Sequence, residues 1–143
     1  MNHPSPGAPG PGQPQGMPPE RQTRLTYGGY LKVPELLALQ QTRHQPPHHD
    51  ETLFIIAHQV YELWFKQALH ELHRVCDLLD RDEPLRAAQL LERIHKIQHL
   101  LIEQIPLLET MFSSEFAKFR SSLSTASGFQ SVQFRKLEVL VGA

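Results

Sequence analysis

The chain has almost no sulfur to cross-link with. Its one cysteine, Cys76, excludes an internal disulfide and suits a reducing cytoplasm. It has no excess charge of either sign: the formal net charge is −1, with acids and bases interspersed. That gives no electrostatic case for nucleic acid or an anionic membrane as partner. It has no apolar run near the ~20 residues of a membrane-spanning helix. A basic stretch followed by an apolar one, the mark of a secretory leader, is missing too. No period-2 alternation of the kind a half-buried strand needs is present, and no internal repeat.

Proline and glycine are scarce except at the start. Residues 1–23 hold seven of the twelve prolines and four of the eight glycines. Such a segment lacks the apolar side chains that offset ordering entropy, so it reads as a disordered tail. Residues 24–143 remain to build one domain. Nine histidines among 143 residues is the unusual count, and it makes metal or haem chemistry worth testing.

The pattern after residue 31 is helical nearly throughout. A short helix is expected from about Val33 to Gln41, with Pro34 in its first turn. A loop with Pro46 and Pro47 follows. A long helix is then predicted over about 50–80, with Asp50 as its N-cap. Leu53, Ile56, Val60, Leu63, Leu72 and Leu79 form its apolar stripe, which Phe54, Tyr61, Trp64, Phe65 and Leu69 widen. Asp82-Glu83-Pro84 turns the chain into a second long helix. Its stripe is Leu85, Ala88, Leu91, Ile94, Leu101, Ile105 and Leu108, and Pro106 should kink it. Ser113 is expected to cap a helix over about 115–123, and Ser124–Ser131 a loop containing Gly128. A last helix runs from near Ser131 to the end of the chain. The sum is an all-α antiparallel bundle.

Few residues are candidates for chemistry. Phe54 and His58 are four apart and share one helix face, and Glu62 continues that row, apart from the main stripe. Such a row can line a pocket. On periodicity alone a core or half-exposed histidine is the more ordinary reading. Arg120, one turn after Phe116, can bind a carboxylate in fork geometry. An arginine whose stem packs on its neighbours is again the more ordinary reading. His95/His99 and His70/His73 have helical spacing but no third ligand, so both read as solvated faces. Cys76 reads as a small buried hydrophobe.

Four strings in order change this balance: LTYGGYL (25–31), HHDETLFIIAHQ (48–59), ELWFK (62–66) and FRSSLSTASGFQS (119–131). Together they resemble the tryptophan 2,3-dioxygenase family, in its N-terminal half, over residues 25–142. The resemblance implies a helical homotetramer that binds haem b. It adds both atoms of O₂ across the indole C2–C3 bond of L-tryptophan to give N-formylkynurenine. It implies that His58 is the distal histidine facing the indole N–H. Phe54, Ile55, Ile56, Ala57 and His58 would then form the distal wall, with Phe54 packed on the indole. Arg120 would bind the substrate carboxylate beside Phe116. Tyr27, Tyr30 and Leu31 would reach into a neighbouring subunit's site, and Ser127 and Gly128 would lie at the haem edge.

Two departures follow from the resemblance. The family usually has a tyrosine where this chain has Phe116, and often one where Phe134 stands. A lost hydrogen bond to a charged group is worth roughly 1.5–3 kcal/mol. A modified indole or another aromatic amino acid thus becomes conceivable as substrate. The family chain also runs about twice as far, and the axial histidine is expected in the absent half. That leaves three readings: an incomplete chain of a working dioxygenase, a short non-catalytic assembly or binding module, or one half of a split enzyme.

Overall fold

A computed structural model describes residues 25–123 and 126–142. The tail expected over 1–23 lies outside the described residues. Those described are helical with no strand among them. They divide into two units, one ending at Pro34 and one beginning at Glu35. No helix among them is long and apolar enough to cross a membrane.

The first unit holds α1 (Tyr27–Leu31). The Thr26 hydroxyl caps it, accepting from the Gly29 N–H at 3.1 Å. Lys32 ends it in the left-handed conformation, φ 53°. α2 (Val33–Leu37) is four residues shorter than the helix expected to reach Gln41.

The second unit is built on α3 (His49–Asp80) and α4 (Pro84–Glu103), which pack against each other. The N-cap of α3 is His48 rather than Asp50. Asp50 and Glu51 occupy its first turn, where acids suit the positive end of the dipole. Glu51 is wholly enclosed. Its two carboxyl oxygens accept the backbone N–H groups of Arg43 (2.6 Å) and His44 (3.3 Å), which fastens the preceding loop to the helix. At the other end Asp82 takes φ 57°, which aspartate tolerates. The Asp82 and Glu83 N–H groups bond back to the Leu79 and Leu78 carbonyls, a Schellman closure. Pro84 then opens α4, where its missing N–H costs nothing.

The buried face differs from the expected stripes. α3 buries Ala57, Ala68, Leu69, Leu72, Val75 and Leu78, while Ile56, Leu63 and Leu79 are exposed. α4 buries Ala87, Ile94 and Ile97, while Leu85 and Leu91 are exposed. Both helices are apolar over much of their girth, so spacing alone did not choose the face. The helix–helix contact decides it, and it buries Ala87 where the expected stripe had Ala88, which is exposed. Leu72, Val75 and Leu78 meet Ala87 and Ile94, with Leu90 and Leu137 packed on them. Cys76 is exposed, not buried, since it falls one step past Val75 on the outer side.

The break at Pro106 is complete. α4 stops at Glu103, and α5 (Ile105–Glu109) restarts with the proline in its first turn. Side chains serve carbonyls near the break. Gln104 Nε2 donates to the Leu100 carbonyl at 3.1 Å, and the Tyr61 hydroxyl to the Leu101 carbonyl at 2.6 Å. α6 (Ser113–Arg120) is capped at Phe112, so Ser113 is its first residue and not its cap. Two single 3-10 turns, Ser121–Leu123 and Gly128–Gln130, flank the loop beyond it. α7 (Val132–Val141) begins at Ser131, whose hydroxyl accepts from the Phe134 N–H at 3.1 Å. It does not run to the end of the chain, because Gly142 closes it at φ 78°.

Candidate functional site

The His58 ring lies against the Phe54 ring, with centroids 4.0 Å apart. This follows from their i,i+4 placement on α3. His58 Nδ1 is 2.8 Å from the Phe54 carbonyl oxygen. A carbonyl only accepts, so Nδ1 carries the proton and donates it. In the neutral ring Nε2 is then left as an acceptor. The helix itself thus fixes the tautomer.

α6 completes an aromatic group around this pair. Phe54 lies 5.9 Å from Phe116 and 5.6 Å from Phe119, and those two rings meet edge-on at 5.4 Å. Phe119 is fully enclosed and anchors α6, while Phe116 is half-buried. These are favourable aromatic separations. Arg120 follows Phe119 and is exposed. Its Nη1 donates to the Ala126 carbonyl at 3.1 Å, which holds the stem of the guanidinium against the loop.

On its other side His58 opens on a cleft of about 340 Å³. Tyr61, Glu62 and Phe65 of α3 share one wall with it, and Ser127, Gly128, Phe129 and Phe134 face them. Ser127 shapes its turn through a capping box. Its hydroxyl accepts from the Phe129 N–H, and its own N–H donates to Gln130 Oε1. Phe65 and Phe134 are 5.5 Å apart. They and Tyr61 also border a second cleft of about 510 Å³, which reaches His95, His99 and Leu101. Burial in this region raises the Tyr61 phenol above its ordinary pKa.

The structure brings together His58, Phe54 and Phe116, and it sets Ser127 and Gly128 across the cleft from His58. Arg120 follows one turn after Phe116 on α6. Ala57 is buried, Ile55 half-buried, and Ile56 exposed, so the stretch 54–58 does not present one face. Tyr27, Tyr30 and Leu31 are exposed on α1. His95 and His99 meet edge-on at 4.9 Å and, like His70 and His73, are exposed. Among the described residues no group of three or more histidine, cysteine or acidic side chains is placed to hold a metal ion. The sequence reading missed Tyr61, Phe65 and Leu108 as walls, and Phe119 as the buried ring. An aromatic i,i+4 pair at Tyr61 and Phe65 was the available signal. The contact from Glu62 to Gln133 spans 71 residues and had none.

A flat apolar group fits this cleft. Its walls are chiefly phenyl rings and aliphatic carbon, one imidazole faces it, and a Cβ on Gly128 would meet nothing within 4 Å. Fold and site together define a helical protein that sets a single tautomer-fixed imidazole in an aromatic cleft. The sequence profile described as tryptophan 2,3-dioxygenase matches residues 13–143, and the chain belongs to that family. The tryptophan 2,3-dioxygenase of Herpetosiphon aurantiacus is 53% identical over 118 residues, 82% of this chain and 45% of that protein. That of a Nocardioides species is 52% identical over 128 residues, 87% and 48% respectively. That of Myxococcus xanthus is 46% identical over 119 residues, 83% and 41%. The chain spans less than half the length of these curated relatives.

Proposed function

We propose that this chain carries the substrate-facing part of a haem-dependent dioxygenase active site. The reaction inserts both atoms of O₂ into L-tryptophan, cleaving the indole C2–C3 bond to give N-formylkynurenine. All oxygen ends in product, so no external reductant is consumed. The observation that carries the reading is His58: its tautomer is fixed by the Phe54 carbonyl, and it opens on the aromatic cleft.

Haem b, when bound, supplies the activation of O₂. Phe65, Leu108, Phe129 and Phe134 would wall it, with Ser127 and Gly128 at its edge. The chain's own groups do the rest. His58 Nε2 accepts the indole N–H and so orients the ring. Phe54 and Phe116 pack on that ring and exclude water. Arg120 takes the substrate carboxylate through guanidinium N–H groups not engaged by Ala126. Holding both ends of the substrate converts binding energy into orientation. In a homotetramer, Tyr27, Tyr30 and Leu31 would close the site of a neighbouring subunit, which suits their exposure on α1. A cytoplasmic location agrees with a lone cysteine.

The test is a chimera in which residues 1–143 replace the matching segment of a longer relative. It is titrated with haem, followed by Soret absorption with and without L-tryptophan, and assayed for N-formylkynurenine. The reading expects a tryptophan-dependent spectral change and product. A chimera that binds haem but neither responds to tryptophan nor forms product overturns it.

A second reading is a split enzyme or an assembly module. The apolar side chains left exposed on α3 and α7, Leu63 and Val139 among them, offer such a partner a surface. Activity recovered on mixing this chain with a separately expressed remaining half would identify the split form.

A further inference from the structure

His95 and His99 are the two histidines of α4, one turn apart on the same row and both exposed. Their rings meet edge-on, with centroids 4.9 Å apart. Both line the same cleft, the one of about 510 Å³. Among the described residues no protein group bonds to the nitrogens of either ring. The backbone that carries them is held. Ile94 and Ile97 are buried on either side of His95, and Ile94 sits in the cluster with Leu72 and Val75 of α3. The cations beside the pair are engaged: Lys96 Nζ lies 2.9 Å from Glu92 Oε1, and Arg93 Nη1 2.7 Å from Glu71 Oε1. α4 ends at Glu103, one turn beyond His99, where the negative end of the helix dipole favours a positive ion.

The geometry points to a site at His95 and His99 for a divalent transition-metal ion of the zinc class. Two imidazoles at i and i+4 on one helix can share one ion, and imidazole nitrogen suits such metals. With each zinc–nitrogen bond about 2.0–2.1 Å and a tetrahedral angle between them, the two ring centres fall roughly 5 Å apart. The observed separation meets that requirement before any ion is bound. No third side chain joins them, so water fills the remaining positions, and the ion lies at the rim of the cleft. His70 and His73 on α3 make the contrast. They line two different clefts, one with Arg93 and one with Leu140, so their rings diverge. The site needs neither haem nor tryptophan and stands apart from the dioxygenase reading.

The test is a titration of the 143-residue chain with zinc chloride, followed by proton–nitrogen correlation spectra of the histidine rings. The ring nitrogens of His95 and His99 should shift together along one saturable curve, with those of His70 and His73 unmoved. Linking two ligands makes the second contact intramolecular, which raises affinity by about 10²–10⁴-fold. His99→Ala should therefore weaken zinc binding at His95 about tenfold or more, and His95→Ala should do the same at His99. Both positions are exposed and alanine is the best helix former, so the far-UV circular dichroism of each variant should match wild type. His73→Ala should leave the His95 curve unchanged. Three results would each overturn the site. One is a shift at His95 and His99 no larger than that at His70 and His73. Another is a His95 curve within about twofold of wild type in His99→Ala. The third is an affinity that rises with chain concentration, which would mean that two chains share the ion through one histidine each.

Discussion

Removing a single oxygen atom at Tyr61 tests how the two long helices are joined. In Tyr61→Phe the ring stays, and with it the contact to Phe65 at 6.0 Å. What goes is the 2.6 Å bond to the Leu101 carbonyl, just before the break at Pro106. A net intramolecular hydrogen bond contributes about 0.5–1.5 kcal/mol, and a carbonyl abandoned in a partly buried place costs about 1–3 kcal/mol. Half-burial lets water recover part of that, so about 1–2 kcal/mol is expected. For a domain of this size each kcal/mol moves the melting temperature by roughly 4 °C. The variant should therefore melt about 4–8 °C lower at neutral pH, followed by far-UV circular dichroism. The pH dependence has a definite sign. Burial raises the folded-state pKa of Tyr61 above the ordinary 10.0, so the neutral phenol is favoured by folding. Its contribution is complete below the unfolded value and is lost as pH rises through the folded one. The gap between wild type and Tyr61→Phe should close in that alkaline window. Equal melting temperatures at neutral pH, or a gap that persists there, would refute the assigned bond.

Other outcomes follow from the same geometry. In the chimera His58→Ala should lower turnover while haem content is kept, and loss of haem would remove His58 from the substrate side. Arg120→Ala should raise KM for tryptophan roughly 10- to 150-fold, the equivalent of a hydrogen bond to a charged group, with Arg120→Lys a poor substitute. An unmoved KM would take Arg120 out of the carboxylate role. Ile94→Ala should cost about 2–5 kcal/mol in denaturant unfolding, whereas exposed Leu91→Ala should stay within about 0.5 kcal/mol. The reverse order would put Leu91 and not Ile94 in the core. The Arg86 hydrogen bond holds the Glu83 carboxyl below its usual range. Its stabilisation is present above the ordinary carboxylate pKa and lost as pH falls through the lowered one. Glu83→Gln should thus be less stable than wild type at neutral pH and equal to it in acid.

Much of this was readable from the sequence because local rules fixed it. Pro84 placed a helix boundary, Pro106 marked a disturbance that proved to be a break and not the expected kink, and Ser131 capped α7 as its position suggested. The i,i+4 spacing put Phe54 and His58 together. The choice of buried face was not readable, since Leu63 and Leu72 are alike in hydropathy. Only the partner helix, with Ala87 opposite, separates one from the other. The same holds for the site. Ring-to-ring contact within α3 was legible, but the choice of Phe119 over Phe116 as the enclosed ring depends on how α6 docks. Gln133 carried no local signal, because its partner lies 71 residues away.

The enclosed carboxyl of Glu51 has a consequence for how this site will look to genetics. It sits one turn before Phe54 and two before His58, and it touches neither the cleft nor the reacting atoms. Its two bonds set where the long helix begins, and so the register of every side chain downstream. In an activity screen a substitution there would behave like the loss of a catalytic acid. The distinguishing mark is the pH profile: Glu51→Ala should depress activity and melting temperature together without altering its shape. Acidic residues that rank high in such a screen are therefore as apt to be anchors of geometry as agents of proton transfer.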